Sequence, residues 1–504
     1  MKCYLGIDLG TSSVKVLALD EEGSIIAIEG KEYPTLVPFS GFAEQLTDEW
    51  WNSICICIQN LIRKNLFDKY QIVSIGLSGQ MHGLVALNSR GKPLRNAIIW
   101  LDRRSTEICK QWASIGYNEE FHNITGLTIA TGYLAPSLAW VKKNEPDIYK
   151  NIYKIVLPKD YIRYKLIGTI STERSDASGT YLFDIINSDW SNQIIKELGF
   201  KDSILPKIQK TLEIAGYVTK TAAQQSGLPQ GIPVATGGSD QAMAAISLGV
   251  KQPGIVAVGI NTGGTVITTI EKPIFDPRVH TLCHAYPNKW LLMGATLSAG
   301  IAVSWFRKQV ITQSQSIVSD KRTNIEELSD WASKILPGSE GLFFIPYLTG
   351  ERTPHMNPNA KGGFIGLTLS HSVNHMVRSI MEGVAYSMCD SLDIYREMGL
   401  PVDELISYAG GSNSALWRQI ICDVFNVPLK KYSYSENSAI GAAITGAIAI
   451  QEYSDYLNSN NKIITNHYPI QKNVFIYEKA RNTFKKIYKQ LVDIFDELSE
   501  FTEV

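Results

Sequence analysis

One short segment combines glycine, hydroxyl and carboxylate side chains in an order that suits phosphate chemistry. In Gly6–Lys15, Gly10 permits a tight turn and lets backbone N–H groups approach an anion. Thr11 and Ser12 add hydroxyl donors to that turn. Asp8 ends the preceding apolar run and can hold Mg²⁺ through water, because hard cations prefer carboxylate oxygens. The segment predicts a phosphate-binding hairpin, with an ordinary β-hairpin as the alternative.

A second small turn, Asn261–Gly264, again separates two apolar, β-branched runs. Thr262 takes the place in the second half of the chain that Thr11 takes in the first. This weak internal repeat predicts two domains of one ancestry, each with a hairpin that can grip phosphate. Thr262 and Gly263 are the candidate contacts, and a simple turn is the alternative.

A third candidate lies between an apolar run, Leu405–Ala409, and a helical pattern, Ala415–Phe425. There Gly410 and Gly411 let a flat ring approach the backbone, and Asn413 sits where a helix N-terminus favours polar groups. A structural tight turn is the alternative. The chain has neither a P-loop motif nor a G-x-G-x-x-G motif after a strand, which excludes the P-loop route to ATP and argues against a Rossmann site.

Two further residues have side chains suited to hydroxyl chemistry. Asp240 follows an apolar strand pattern and precedes the helical segment Ala242–Leu248, where by position alone it is a helix N-cap. A carboxylate there can also accept a proton, and the helix N-terminus is expected to favour its ionised form. His82 follows the predicted strand Ile72–Leu77 and can bind a hydroxyl; a histidine satisfied within the core is the alternative.

The elements that must position these residues are strands alternating with helices, which predicts an α/β fold. We predict two domains, residues 1–248 and 249–504. Small residues crowd Ala439–Ile450, which predicts a thin helix that can pack closely against another helix. We place it on the hinge side of the second domain, with a dimer interface as the lesser alternative. We also expect a final amphipathic helix over Phe475–Leu498 and a surface loop over Leu457–Asn466.

Composition narrows the class of protein. Lys plus Arg number 48 and Asp plus Glu number 49, so the chain carries almost no net charge. Its charge therefore gives no reason to expect binding to nucleic acid or to an anionic membrane. The seven scattered cysteines predict free thiols in a reducing cytoplasm. The uncharged run Trp290–Phe306 is short and rich in small polar residues, so we expect a strand, turn and helix there rather than a membrane span.

Taken together, the three turns resemble the nucleotide site of the actin, hexokinase and heat-shock chaperone superfamily. More narrowly, the chain resembles the FGGY carbohydrate kinases over nearly its whole length. The family signature is matched by a spaced set of residues: Gly362, Phe364, Gly366, Leu367, His375, Ser379 and Glu382. Other stretches that resemble landmarks of the family are Ser78–Gly83, Leu157–Tyr161, Ser175–Thr180, Pro346–His355 and Leu416–Gln419.

The resemblance implies two actin-like (ribonuclease H-like) domains with a cleft between them. It implies ATP and Mg²⁺ as cofactors and Asp240 as the base that activates the sugar hydroxyl. The residues that it implies for the sugar are Gln80, Met81 and His82, with Asp102 and Arg104 as further candidates for the pocket or for domain closure. A surface ion pair is the alternative for those last two.

The substrate that the resemblance implies is a ketopentose, D-xylulose, phosphorylated on its terminal hydroxyl. Leu101 and Ser137 depart from the pattern of the members that act on D-xylulose, as do residues in the turns at Asn261–Gly264 and Gly410–Ser414. An FGGY kinase for another ketose, a polyol or a sugar acid therefore stays open. An actin-like nucleotide switch or a sugar sensor without kinase activity is the alternative of another class. We expect a cytoplasmic enzyme, a possible homodimer, without nucleic-acid or membrane partners.

Overall fold

The computed structural model describes residues 1–64, 69–311, 325–452 and 462–501. The chain divides into two compact units built from non-contiguous segments. Unit 1 comprises Met1–Lys251, Ile270–Leu291 and Glu436–Asn461, and unit 2 comprises Gln252–Thr269, Leu292–Ser435 and Lys462–Val504. The domains predicted at 1–248 and 249–504 are contiguous, and those bounds stay a prediction.

The described residues form alternating strands and helices, as the sequence predicts. The strands, numbered along the chain, are β1 (Lys2–Leu9), β2 (Ser13–Asp20), β3 (Ile25–Glu32), β4 (Glu44–Gln45), β5 (Gln71–Gly79), β6 (Val85–Leu87), β7 (Ala97–Ile98), β8 (Lys154–Val156), β9 (Ser171–Glu173), β10 (Phe183–Asp184), β11 (Asp189–Trp190), β12 (Lys207–Gln209), β13 (Ile214–Tyr217), β14 (Pro233–Ala235), β15 (Gly238–Ser239), β16 (Gly254–Ile260), β17 (Gly264–Ile270), β18 (His280–Cys283), β19 (Trp290–Thr296), β20 (Phe343–Ile345), β21 (Gly363–Ile365), β22 (Val402–Tyr408), β23 (Leu429–Tyr432) and β24 (Ile463–His467). The α-helices are α1 (Thr47–Arg63), α2 (Thr106–Ser114), α3 (Tyr117–Thr125), α4 (Leu134–Asn144), α5 (Pro146–Asn151), α6 (Pro158–Ile167), α7 (Arg174–Ala177), α8 (Asn192–Glu197), α9 (Lys220–Ser226), α10 (Asp240–Ser247), α11 (Gly300–Phe306), α12 (Ile325–Ser333), α13 (Val373–Glu397), α14 (Ala415–Phe425), α15 (Asn437–Ala449) and α16 (Gln471–Glu500).

The main sheet of unit 1 sets the positions of its candidate site residues. Its strand order is β13-β14-β5-β1-β2-β3, and β15 also pairs with β5. β1 is antiparallel to β2 but parallel to β5, and β5 is parallel to β15. Because the carboxyl ends of parallel strands meet at one sheet edge, the residues that follow β1, β5 and β15 lie close together.

The thin helix α15 belongs to unit 1. We had expected it in the second domain, so that placement is wrong. Added Cβ atoms at Gly6 and Gly76 of the sheet would lie 2.0 Å from Ala439 O and 1.7 Å from Ala442 O. The small residues of α15 thus let its backbone lie directly on β1 and β5. The predicted close packing against another helix is also confirmed within unit 1, because an added Cβ at Gly441 would lie 1.8 Å from Met243 O in α10.

Unit 2 repeats the pairing pattern of unit 1. β16 is antiparallel to β17 and parallel to β22, as β1 is to β2 and to β5. Its sheet includes strands in the order β19-β17-β16-β22-β23-β24. The matching hairpins inferred from the weak repeat are therefore present.

Three predicted features of the second half of the chain are the segment Trp290–Phe306, the final helix and the loop Leu457–Asn466. The strand, turn and helix over Trp290–Phe306 are confirmed as β19 and α11, and the final helix is confirmed as α16. The surface loop predicted over Leu457–Asn466 is wrong where it reaches β24, which pairs antiparallel with β23; its earlier residues lie outside the described residues.

The seven cysteines are free thiols, six of them buried, as predicted. Within the described parts of the chain, no helix is both long and apolar enough to cross a membrane.

Candidate active site

Two carboxylates lie at neighbouring strand ends of unit 1. Asp8, near the end of β1, is in register with Ser78 of β5, and Gly238 of β15 pairs with the same Ser78 from the other side. Asp240 follows β15 directly as the first residue of α10. The sheet therefore brings Asp8 and Asp240 to one edge, although they are far apart in the sequence.

Asp240 is not the cap of its helix. Ser239 takes the N-cap position and accepts from Ala242 N, while Asp240 Oδ1 accepts from Gln241 N at 2.7 Å. Burial and then the negative charge of Asp8 raise the pKa of Asp240 from 3.8 to about 7, against the hydrogen bonds from Gln241. We expected the helix N-terminus to keep Asp240 ionised; instead the pKa is raised, because desolvation and then the charge of Asp8 favour the neutral form. A carboxyl with a pKa near 7 is well matched to accept a proton at neutral pH.

The turn after β1, predicted to bind phosphate, is closed by a backbone hydrogen bond and has an exposed tip. Gly10 N donates to Ser13 O at 3.1 Å, which closes the turn, and Ser12 at its tip is exposed. Thr11 Oγ1 accepts from the indole N–H of Trp100 at 2.8 Å, so its own O–H remains able to donate. Burial raises the pKa of Asp8.

The segment after β5 holds the three residues predicted to bind sugar, and residues 80–82 are called the sugar segment below. Gln80, Met81 and His82 are all buried, and His82 has a left-handed backbone with φ of 71°. Its Nδ1 lies 2.6 Å from the carbonyl oxygen of Gly179. A Cβ on Gly179 would lie 2.9 Å from that ring nitrogen, so only glycine lets the two segments approach this closely. Sequence reasoning recognised the Ser175–Thr180 stretch as a landmark but missed that it supports His82.

Gln45 is a buried residue that sequence reasoning missed altogether. Its side chain contacts both the phosphate hairpin and the sugar segment, through Thr11 O and the Gln80 amide. Nothing in the local sequence pattern marks it, because Thr11 and Gln80 lie 34 and 35 positions away in the sequence.

Asp102 and Arg104 form a buried ion pair, so the surface alternative is wrong. Each side chain is only 1 % exposed, and Asp102 Oδ2 also accepts from Ala43 N at 2.6 Å. Arg104 bonds to Glu44 as well and lies over the ring of Phe42, 4.0 Å from its centroid. These contacts tie the segment after Trp100 to the strand β4. A role for the pair in sugar binding stays a prediction.

In unit 2, the turn between β16 and β17 carries Thr262 and Gly263. Thr262 is exposed, and its carbonyl oxygen accepts from Ala299 N at 3.0 Å and from Ile301 N at 3.1 Å. The segment before α11 therefore holds this turn in place. That segment is in turn held by the buried Glu351, whose carboxylate accepts from Leu297 N at 3.0 Å and from Thr296 Oγ1. The sequence identifies Glu351 only as part of the landmark stretch Pro346–His355.

The two glycines after β22 have different surroundings. A Cβ on Gly411 would lie 2.3 Å from Ile260 Cγ2, so the close packing onto β16 requires a glycine there. A Cβ on Gly410 would meet nothing within 4 Å, so this residue borders open space. Asn413 is exposed, and its Oδ1 accepts from Lys431 Nζ. The structural alternative therefore explains Gly411, whereas Gly410 and Asn413 face space that a ligand can use.

Two models of protein families match this chain. The N-terminal domain model of the FGGY family of carbohydrate kinases matches residues 3–247, and the C-terminal domain model matches residues 256–450. The chain belongs to the FGGY family of carbohydrate kinases. It is therefore an ATP-dependent carbohydrate kinase, and the resemblance stated from the sequence is confirmed.

Individual FGGY relatives cover almost the whole chain. The xylulose kinase of Bacillus subtilis (strain 168) is 32% identical over 506 residues, covering 99% of each chain. Among solved structures, the ligand-bound xylulose kinase of Lactobacillus acidophilus has a TM-score of 0.92 at 24% identity, covering 99% of this chain and 100% of that one. The gluconate kinase of the same organism has a TM-score of 0.91, also at 24% identity, covering 99% of each chain. The last two comparisons support the fold alone.

The FGGY signature residues build the frame of unit 2. Glu382 accepts from Arg378 at 2.7 Å, from Gly338 N at 3.1 Å and from the hydroxyl of Tyr477 at 3.0 Å. His375 forms the capping box of α13 with Ser372. These contacts fix helices rather than present groups to a ligand, so the signature identifies the family without locating its chemistry.

Proposed function

We propose that this kinase transfers the γ-phosphate of ATP to the terminal hydroxyl of D-xylulose, giving D-xylulose 5-phosphate. Asp240 takes the proton of the attacking hydroxyl. Gln80, Met81 and His82 hold the sugar, with Asp102 and Arg104 as further pocket residues. In phosphoryl transfer the protein chiefly positions the groups and neutralises charge, so one well-placed carboxylate is sufficient as a base.

One observation carries the proposal: the base, the phosphate hairpin and the sugar segment leave the same edge of one sheet. The register places Asp8 and Gly238 on either side of Ser78, and β5 then runs directly into Gln80. An acceptor hydroxyl bound to that segment lies within the reach of side chains at the neighbouring strand ends. A nucleotide switch without sugar chemistry would need the hairpin but not the segment beside it.

The phosphate contacts that we propose are Gly10, Thr11 and Ser12 of the first hairpin and Thr262 and Gly263 of the second. The adenosine contacts that we propose are Gly410, Gly411 and Asn413.

Asp8 suits a Mg²⁺ ion held through water. Its Oδ1 is buried, and Ser78 beside it on β5 is the nearby donor that lowers its pKa against burial, so the carboxylate keeps capacity for a water ligand of the ion. When bound, Mg²⁺ would neutralise phosphate charge and favour the ionised form of Asp8.

The names of the relatives that cover the whole chain support D-xylulose as the substrate. The fold is equally similar to a gluconate kinase, so it does not discriminate between these acceptors. Leu101 and Ser137 keep another ketose, a polyol or a sugar acid as the second candidate. The Leu101 side chain is 44% exposed, next to the Trp100 that contacts the phosphate hairpin.

A coupled assay of ADP release decides between these acceptors. The purified protein is given ATP and Mg²⁺ with D-xylulose, D-ribulose, L-ribulose, glycerol or D-gluconate in turn. We expect D-xylulose to give the highest kcat/KM. A higher kcat/KM for another acceptor would overturn the substrate assignment, and the absence of any sugar-stimulated turnover would overturn the kinase chemistry.

We propose that the enzyme works in the cytoplasm, where a reducing environment keeps thiols free. Seven cysteines without a disulfide are compatible with that compartment. A homodimer, and the lack of a nucleic-acid partner, stay predictions.

A further inference from the structure

We propose that Gln45 is a positioning residue that holds the phosphate hairpin and the sugar segment in one fixed register. This proposal rests on the proposed function, because it takes Thr11 and Gln80 as ligand contacts. Gln45 itself is completely buried at the end of β4 and has no route to a ligand. Its effect must pass through the residues it bonds.

The Gln45 side chain makes four hydrogen bonds that use its amide in both directions. Its Nε2 donates to Thr11 O at 2.6 Å and to Thr35 Oγ1 at 2.9 Å. Its Oε1 accepts from Gln80 Nε2 at 2.9 Å and from the Trp50 indole at 3.0 Å. Both donors and both acceptor sites of the amide are therefore in use, which fixes its orientation.

Two of these bonds reach opposite partners in the reaction. The bond to Thr11 O fixes the backbone of the turn that offers donors to the nucleotide. The bond from Gln80 fixes a side chain of the sugar segment, and it leaves Gln80 Oε1 without a hydrogen bond from the described residues. A buried amide oxygen without a partner is costly, which favours a hydroxyl of the bound sugar as its donor.

The remaining two bonds anchor Gln45 to the scaffold. Trp50 is buried in α1, and Thr35 lies in the segment before β4. Because Gln45 is tied to a helix on one side and to two ligand-binding segments on the other, a shift of one segment must be transmitted to the other. Misplacement by a fraction of an ångström is sufficient to reduce the rate of a positioned reaction strongly.

Two substitutions separate the bonds of Gln45. Gln45→Glu keeps an acceptor for Gln80 and Trp50 but loses the donors to Thr11 and Thr35. Gln45→Leu loses all four bonds at a similar volume. We expect the first to raise KM for ATP roughly tenfold with a smaller change for the sugar, and the second to raise both KM values roughly tenfold.

Gln225→Leu is the control for the loss of a glutamine–tryptophan hydrogen bond, at an exposed position away from the site. Gln225 accepts from the Trp51 indole at 2.8 Å, as Gln45 accepts from Trp50, but it has no bond to the site. We expect unchanged KM values for this variant. Thr11→Ala and Gln80→Ala serve as one-sided references, which raise KM for ATP alone and for the sugar alone.

The test measures both KM values, kcat and the melting temperature for each variant. If the Gln45 variants melt earlier but keep both KM values, Gln45 is merely structural and the proposal is wrong. If the wild type prefers another sugar, the substrate assignment fails and the same comparison is made with that sugar. If no sugar stimulates turnover, the proposed function fails, and equilibrium binding of ATP then decides: unchanged affinity in Gln45→Glu would overturn the role of Gln45.

Discussion

Replacing Asp240 by Asn is expected to slow phosphoryl transfer by roughly 10²–10⁴-fold and at the same time to stabilise the fold. Burial and the nearby Asp8 raise the pKa of Asp240 from 3.8 to about 7. A shift of that size corresponds to ~4 kcal/mol of unfavourable interaction for the ionised form in the folded state. Because the side chain keeps some exposure to solvent, we expect ~1–3 kcal/mol in practice. Asn removes the charge and can keep the bond from Gln241 N.

The pH dependence gives the sign of the effect. Between the ordinary pKa and the raised pKa, the folded state binds more protons at Asp240 than the unfolded state, so the free energy of unfolding decreases as pH rises through this window. The advantage of Asp240→Asn should therefore be small at about pH 4 and reach its full value above about pH 7.

Differential scanning calorimetry of both proteins across this pH range measures the effect. A gain of ~1–3 kcal/mol corresponds to a rise in melting temperature of about 2–6 °C above neutral pH. A variant that melts at or below the wild-type temperature at about pH 8 would refute the claim that Asp240 is held as a destabilised carboxylate.

Three further predictions follow from the same structure. The kcat/KM for the sugar should fall as pH drops below about 7, because protonated Asp240 cannot accept the hydroxyl proton, and a pH–rate profile measures this. Gly76→Ala should destabilise unit 1 by at least ~1–3 kcal/mol in thermal or denaturant unfolding, since the added Cβ would lie 1.7 Å from the backbone oxygen of Ala442. Gly179→Ala should raise KM for the sugar roughly tenfold while leaving KM for ATP unchanged, because its Cβ would press on the His82 ring.

Each of these predictions has a matched control or a contradicting result. Gly363→Ala is the control for Gly76→Ala, because its Cβ meets nothing within 4 Å, and equal stability of the two variants would contradict the packing argument. An unchanged KM for the sugar in Gly179→Ala would contradict the placement of His82 in the sugar pocket. A kcat/KM independent of pH between about 5 and 8 would show that Asp240 is not the base that titrates.

The hairpins and the candidate site residues within them could be predicted because their signals are local. An apolar strand, a small turn at Gly10 and a second apolar strand specify β1 and β2 without reference to the rest of the chain. Asp240 was recognisable as the first charged residue between a strand and a helix. The family signature then supplied the functional meaning that these local patterns lacked.

The features that could not be predicted depend on contacts between distant segments. Gln45 bonds to Thr11 and Gln80 only after three strands have paired. The raised pKa of Asp240 depends on Asp8, which the sheet brings close, and on burial that a helix dipole argument ignores. The same holds for α15, whose small residues predicted close packing but not the unit in which it packs.

The most direct test of the central claim is D-xylulose-stimulated release of ADP by the wild type and by Asp240→Asn, at saturating ATP and Mg²⁺. We predict strong stimulation for the wild type. We predict a loss of roughly 10²–10⁴-fold in the variant, with ATP binding retained. Stimulation in the variant close to that of the wild type, or none in the wild type with D-xylulose, would contradict the account.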